Sequence, residues 1–137
     1  MATQHSNLSA ALHGRRILIV EDDCVTAMDL AETLSTAGAE VVGPAGTIAA
    51  ALGLLRPRTP LDIALLDIEV EGTSVFEVAD ELVKRSVPIV FTTGYERSEI
   101  PARFHGARHC EKPIGIAAIA RALTEQLVPG QSVLRHR

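Results

Sequence analysis

Five short apolar runs constrain this chain more than any other feature. They are RRILIV (15–20), AEVVG (39–43), LDIALL (61–66), VPIVFT (87–92) and ARHCE (107–111), the last being the weakest. Several are unbroken in Ile, Val, Leu or Phe, the pattern of strands covered on both faces and not of strands with one wet face. Helical patterns lie between them. Val25, Met28, Ala31 and Leu34 recur at helical spacing, and Gly38 is placed to close that helix. Thr47 is placed to cap IAAALGLLR, which Pro57 stops, and Ser74 with Glu77 has capping-box spacing ahead of VFEVADELV. Ile116, Ile119, Leu123 and Leu127 make one face of a last helix, ended by Pro129 and Gly130. Pro101 interrupts the short stretch between Tyr95 and Phe104, so any fourth helix is brief. Strand–helix alternation five times over predicts an α/β fold on a parallel five-stranded sheet with right-handed crossovers.

The length of 137 residues suits one domain, with tails at 1–14 and 129–137 around a folded unit at 15–128. Such a chain buries a full core without staples. Two cysteines do not suggest a disulfide scaffold, so a reducing cytoplasm is the expected compartment. No basic segment leads into an apolar stretch at the start, and no apolar run approaches the roughly 20 residues that span a bilayer. The formal charge of −4 argues against nucleic acid as the main partner, and the length leaves no room for a separate DNA-binding domain.

In an open α/β sheet, ligands bind beyond the carboxyl ends of the strands, near the switch in strand order. Glu21 and Asp22 follow the first strand, and Asp67 ends the third. If those strands are neighbours, three carboxylates share a pocket. Two like charges about 4 Å apart repel by about 4 kcal/mol at an effective dielectric of roughly 20, so either a proton or a cation must enter. All-oxygen ligands suit Mg²⁺ or Mn²⁺. A plainer role for Glu21 and Asp22 is to cap the first helix, but Asp67 at a second strand end has no such role. Thr93 and Lys112 close two further strands and supply a hydroxyl and an ammonium. Acids, a divalent metal, a hydroxyl and a lysine at one sheet edge fit a phosphoryl group, with Asp67 as a carboxylate nucleophile.

This set resembles the receiver domain of bacterial two-component response regulators. ILIVEDD is similar to the first strand with its acid pair, ALLDIEVEG to the phosphoacceptor strand, VFTTGY to the segment with the switch threonine, and CEKP to the lysine–proline element. The resemblance implies a flavodoxin-like (βα)5 three-layer sandwich of strand order 2-1-3-4-5 with a shortened fourth helix. It implies Asp67 as phosphoacceptor and Mg²⁺ held by Asp22, Asp67 and the backbone carbonyl of Glu69, with Glu21 acting largely through water. It gives Thr93 and Lys112 the phosphoryl oxygens, makes Thr93, His109 and Tyr95 the switch positions, and makes the bond before Pro113 cis. Glu69 and Tyr95 would flank the path of the hydrolytic water.

PIVFTTGY is also similar to the motif of the "FAT GUY" receivers, often stand-alone and tied to stress-response phosphorelays. It matches at Pro88, Phe91, Thr93, Gly94 and Tyr95 and departs at Ile89 and Thr92. Two further departures stand out: Glu71 occupies the place, four beyond the acceptor, where receivers usually have proline, and His109 occupies the aromatic switch position.

The implied function is a cytoplasmic single-domain response regulator, monomeric or weakly dimeric, that is not an enzyme beyond its own phosphorylation and dephosphorylation. Its partners would be a sensor histidine kinase or histidine phosphotransfer protein and a downstream protein target, with no DNA and no membrane. Two alternatives are a phosphate shuttle or sink, and an aspartate-nucleophile phosphohydrolase, which the spacing of Asp67 and Glu69 mimics. His105, His109 and Cys110 lack a fourth ligand for zinc, and Cys24 reads as an ordinary small helix residue.

Overall fold

A computed structural model describes residues 10–56, 59–94 and 100–127. Its elements in chain order are β1 (Arg16–Val20), α1 (Cys24–Thr36), β2 (Glu40–Ala45), α2 (Ile48–Leu54), β3 (Ile63–Asp67), β4 (Glu69–Val70), β5 (Thr73–Ser74), α3 (Phe76–Lys84), β6 (Ile89–Thr93), a 3₁₀ turn (Ala102–Phe104), β7 (Arg108–Glu111) and α4 (Ile116–Leu127). The main sheet is parallel, in the order β2-β1-β3-β6-β7. With the small β4–β5 hairpin set aside, this is the flavodoxin-like order 2-1-3-4-5. The brief fourth helix is the 3₁₀ turn within the described residues.

Alternation along each strand builds the two cores. Leu18, Val20, Ala64, Leu66, Ile89 and Phe91 pack toward α2, α3 and the 3₁₀ turn. Ile17, Ile19, Ile63, Leu65, Val90 and Cys110 pack toward α1 and α4. Every residue of β3 and β6 is buried, which is why these runs are continuous and do not alternate. Thr47 caps α2 by accepting from the Ala50 amide at 3.0 Å, and Gly38 leaves α1 with φ +95°.

Three local readings change. Val25 and Met28 are each 69% exposed, and α1 instead buries Ala27, Leu30 and Leu34. Both stripes have helical spacing, but residues 27, 30, 31 and 34 complete the i, i+3, i+4, i+7 set that faces a sheet. Ser74 caps nothing: it lies in β5, and α3 starts after Val75 with no side-chain cap. The packed unit also begins before residue 15, because Leu12 is fully buried in the α1–α4 core and the Gly14 amide donates to the Gly38 carbonyl at 2.8 Å. Pro57, Tyr95, Pro129 and Gly130 lie outside the described residues.

Candidate functional site

The pairing of β1 with β3 sets Val20 beside Leu66, so the residues that follow β1 meet the end of β3. Ligand atoms of Glu21, Asp22 and Asp67 lie within 4.8 Å of one another, the one such acidic, His or Cys cluster among the described residues. Glu21 and Asp67 are only 5% and 6% exposed, while Asp22 faces solvent. Burial raises the Glu21 carboxyl above its ordinary range; the Asp23 amide and Lys112 pull it down, and the charges of Asp67 and Asp22 push it up. The donors are all oxygens and the crowding is real, so the set fits a hard divalent cation such as Mg²⁺.

Lys112 closes the pocket from β7. Its Nζ donates to Asp67 Oδ2 at 2.6 Å and lies 3.8 Å from Glu21 Oε1. Burial alone would lower the ammonium, but the hydrogen bond and charge of Asp67, with Glu21 and Asp22 behind it, outweigh that and raise it. The Lys112–Pro113 bond is cis. Gly43–Pro44 is cis as well, a bond that no sequence pattern singled out.

Thr93 sits at the end of β6, 2% exposed, and its carbonyl accepts from the Lys112 amide at 2.7 Å. Thr92 lines a cavity of about 430 Å³ that adjoins the acid site, since Glu21, Asp23 and Lys112 line it together with Leu30, Leu65 and Ile119. The His109 ring stacks on Phe91, with centroids 5.3 Å apart. The Glu69 amide donates to Asp67 Oδ1 at 3.3 Å. Thus Glu21, Asp22, Asp67 and Lys112 come together, with Thr93 and Glu69 on the adjoining strand ends; Tyr95 lies outside the described residues.

Two functional contacts escaped the sequence reading. Asp23, not Glu21 or Asp22, caps α1: its carboxylate accepts from the Thr26 amide and hydroxyl, which hold it below the usual range, and its own amide donates to Glu21 Oε2 at 3.1 Å. The Glu71 amide donates to Asp22 Oδ2 at 2.6 Å. Gly72 was the available signal for a tight turn, since glycine takes positive φ freely, but Glu71 itself gave none. The histidines and Cys110 do not converge. His105 Nε2 bonds to the Ile100 carbonyl, and Cys110 packs in the opposite core from His109, where burial raises its thiol.

Comparison with known proteins agrees with this fold. Residues 17–124 match the family model of the response regulator receiver domain. The chain is 33% identical over 113 residues to the transcriptional regulatory protein PdtaR of Mycobacterium tuberculosis, covering 80% of this chain and 55% of that one. It is 31% identical over 129 residues to the phyllosphere-induced regulator PhyR of Methylorubrum extorquens, covering 92% and 48%. The chain therefore spans about half the length of these two relatives. The solution structure of SdrG from Sphingomonas melonis Fr1 superposes with a TM-score of 0.69 at 34% identity, covering 86% of this chain and 98% of that one. No helix among the described residues is long and apolar enough to cross a membrane.

Proposed function

The chain belongs to the response regulator receiver family, and from that premise we propose that Asp67 accepts a phosphoryl group from a phosphohistidine donor and that the phosphorylated surface signals by protein contact. One observation carries the reading: Asp67 ends β3 with Lys112 Nζ at 2.6 Å and with Glu21 and Asp22 inside the same 4.8 Å cluster.

In the reaction, an Asp67 carboxylate oxygen attacks phosphorus, the P–N bond to the donor imidazole breaks, and the imidazole leaves and takes up a proton. Glu21, Asp22, Asp67 and the Glu69 carbonyl are the groups that would hold Mg²⁺. The ion would supply neutralisation of charge on the transferring oxygens. Lys112 moves its ammonium from the carboxylate to a phosphoryl oxygen, and the Thr93 hydroxyl donates to another. The product is an acyl phosphate on the protein, so activity toward other substrates is not expected.

The donor is a sensor histidine kinase or histidine phosphotransfer protein, and the reader is a further protein. The PIVFTTGY segment supports a place in a stress-response phosphorelay. The test uses acetyl phosphate or a kinase: wild-type protein gains an acid-labile label in Mg²⁺ and Asp67→Asn gains none. Equal labelling of that variant would sink the assignment. Return of the label to a phosphotransfer protein would mark the shuttle role instead of a terminal switch.

A further inference from the structure

Glu71 stands four residues beyond Asp67, and its backbone amide reaches across 49 positions of sequence to Asp22 Oδ2 at 2.6 Å. Proline, usual in receivers at this place, has no amide hydrogen to give. The donor is held firmly. Glu71 (φ +51°) and Gly72 (φ +77°) form the two-residue loop between β4 and β5, and a type I′ hairpin turn requires positive φ at both. The hairpin is pinned to the core by Val70 and Val75, each at most 1% exposed, and by the Val75 amide on the Ile68 carbonyl at 2.8 Å.

The other two acids are tethered in the same manner. Glu21 Oε2 accepts from the Asp23 amide at 3.1 Å, and Asp67 Oδ2 accepts from Lys112 at 2.6 Å. Glu21 and Asp22 thus each have one oxygen engaged by a backbone amide, whereas Asp67 has both engaged, since its Oδ1 also accepts from the Glu69 amide at 3.3 Å. Bidentate ligation turns both oxygens toward one ion and fixes the carboxylate plane, so it competes with the orientation that the donor imposes, even though each oxygen keeps a second lone pair. Ca²⁺ gathers six to eight oxygens and often uses bidentate carboxylates, whereas Mg²⁺ keeps a small octahedron.

We propose that the Glu71 amide is a positioning donor that keeps Asp22 monodentate, so that the site favours a small octahedral cation over Ca²⁺. The inference rests on the phosphoacceptor reading, which makes Asp22 a metal ligand.

The test replaces the amide of residue 71 by an ester in the full chain, which removes the donor hydrogen. Glu71→Gly is the control that retains it and suits a positive φ. Mg²⁺ and Ca²⁺ affinities are measured separately by NMR titration. The ester should weaken Mg²⁺ by about tenfold, the usual scale for a lost outer-shell partner, and weaken Ca²⁺ much less. Glu71→Gly, which keeps the amide donor, should keep the Mg²⁺-over-Ca²⁺ preference even where loss of the side-chain charge shifts both affinities. An ester protein whose Mg²⁺-to-Ca²⁺ preference is unchanged would overturn the proposal. A second measurement needs no ester: the Glu71 amide proton should exchange slowly, stay protected when Mg²⁺ is added, and lose protection in Asp22→Ala. Loss of protection on adding Mg²⁺ would overturn the latch. If Asp22→Ala binds Mg²⁺ as well as wild type does, the metal reading of the site itself fails, which is a different result.

Discussion

The Lys112 ammonium donates to Asp67 Oδ2 at 2.6 Å, so the carboxylate proposed as the phosphoacceptor is already paired in the resting site. The lysine therefore has two tasks. It offsets part of the charge crowding in the resting site, and under the proposed transfer it would leave one oxygen for another.

Removing it by Lys112→Met leaves two carboxylates of 5% and 6% exposure without their cation. Lys112 is itself 39% exposed, so water screens part of the loss. The expected destabilisation in metal-free buffer is about 1–2 kcal/mol. Urea denaturation checks it. Mg²⁺ should restore part of the loss, and an unchanged midpoint would count against the pairing.

The raised carboxyl of Glu21 makes stability depend on pH. Burial, with Asp67 and Asp22, lifts it above its ordinary 4.5. The folded protein then holds this proton more tightly than the unfolded chain. The stability it contributes is complete below pH 4.5 and is lost as pH rises through the higher folded value. A cation relieves the same repulsion, so the rise in Tm on adding Mg²⁺ should be larger at pH 7 than at pH 5. Glu21→Gln should flatten the metal-free profile and raise Tm at pH 7. Thermal melts across that range, with and without chelator, decide it; a Mg²⁺ effect equal at both values would refute the coupling.

Strand positions and the cluster at the sheet edge were legible in the sequence because both depend on gross patterns: continuous apolar runs and acids that end them. Local partners were not. Val25 and Met28 satisfy a helical period as well as Leu30 and Leu34 do, and only the sheet decides which stripe is covered. Ser74 and Glu77 have capping spacing, but β5 claims Ser74 first. The Glu71 contact depends on a backbone amide, which leaves almost no mark on residue identity.

The two faces of α1 should respond differently to truncation. Leu34, fully buried, should cost about 2–4 kcal/mol on replacement by Ala. Met28→Ala, at 69% exposure, should stay within about 0.5 kcal/mol. Chemical denaturation of the two variants measures both. Similar losses at the two positions would mean that the stripe is wrongly assigned.

The last prediction follows an aromatic line away from the site. His109 stacks on Phe91 at 5.3 Å, Phe91 meets Phe104 edge-on at 5.6 Å, and Phe104 stacks on Phe76 of α3 at 5.3 Å. These are all three phenylalanines of the chain. At its far end, Arg103 lies over the Phe104 ring and grips Asp80 of α3 with bonds of 2.9 and 3.1 Å. Phosphorylation adds about −1.5 to −2 of charge and three acceptor oxygens. Drawing the Thr93 hydroxyl toward them changes the space that the His109 ring can fill, and a close-packed line of rings passes on displacement more readily than compression. A phosphoryl group on Asp67 would thereby bias an equilibrium between two ring arrangements through unequal contacts with them. Adding beryllofluoride, a phosphoryl mimic, should shift amides of the acid pocket, His109, the 3₁₀ turn and α3. Thr93→Ala should bind the mimic yet lose the distant shifts. Phe104→Leu should keep shifts at the pocket and at His109 while losing those on α3. Shifts on α3 that persist in Phe104→Leu would show that the aromatic line does not carry the change.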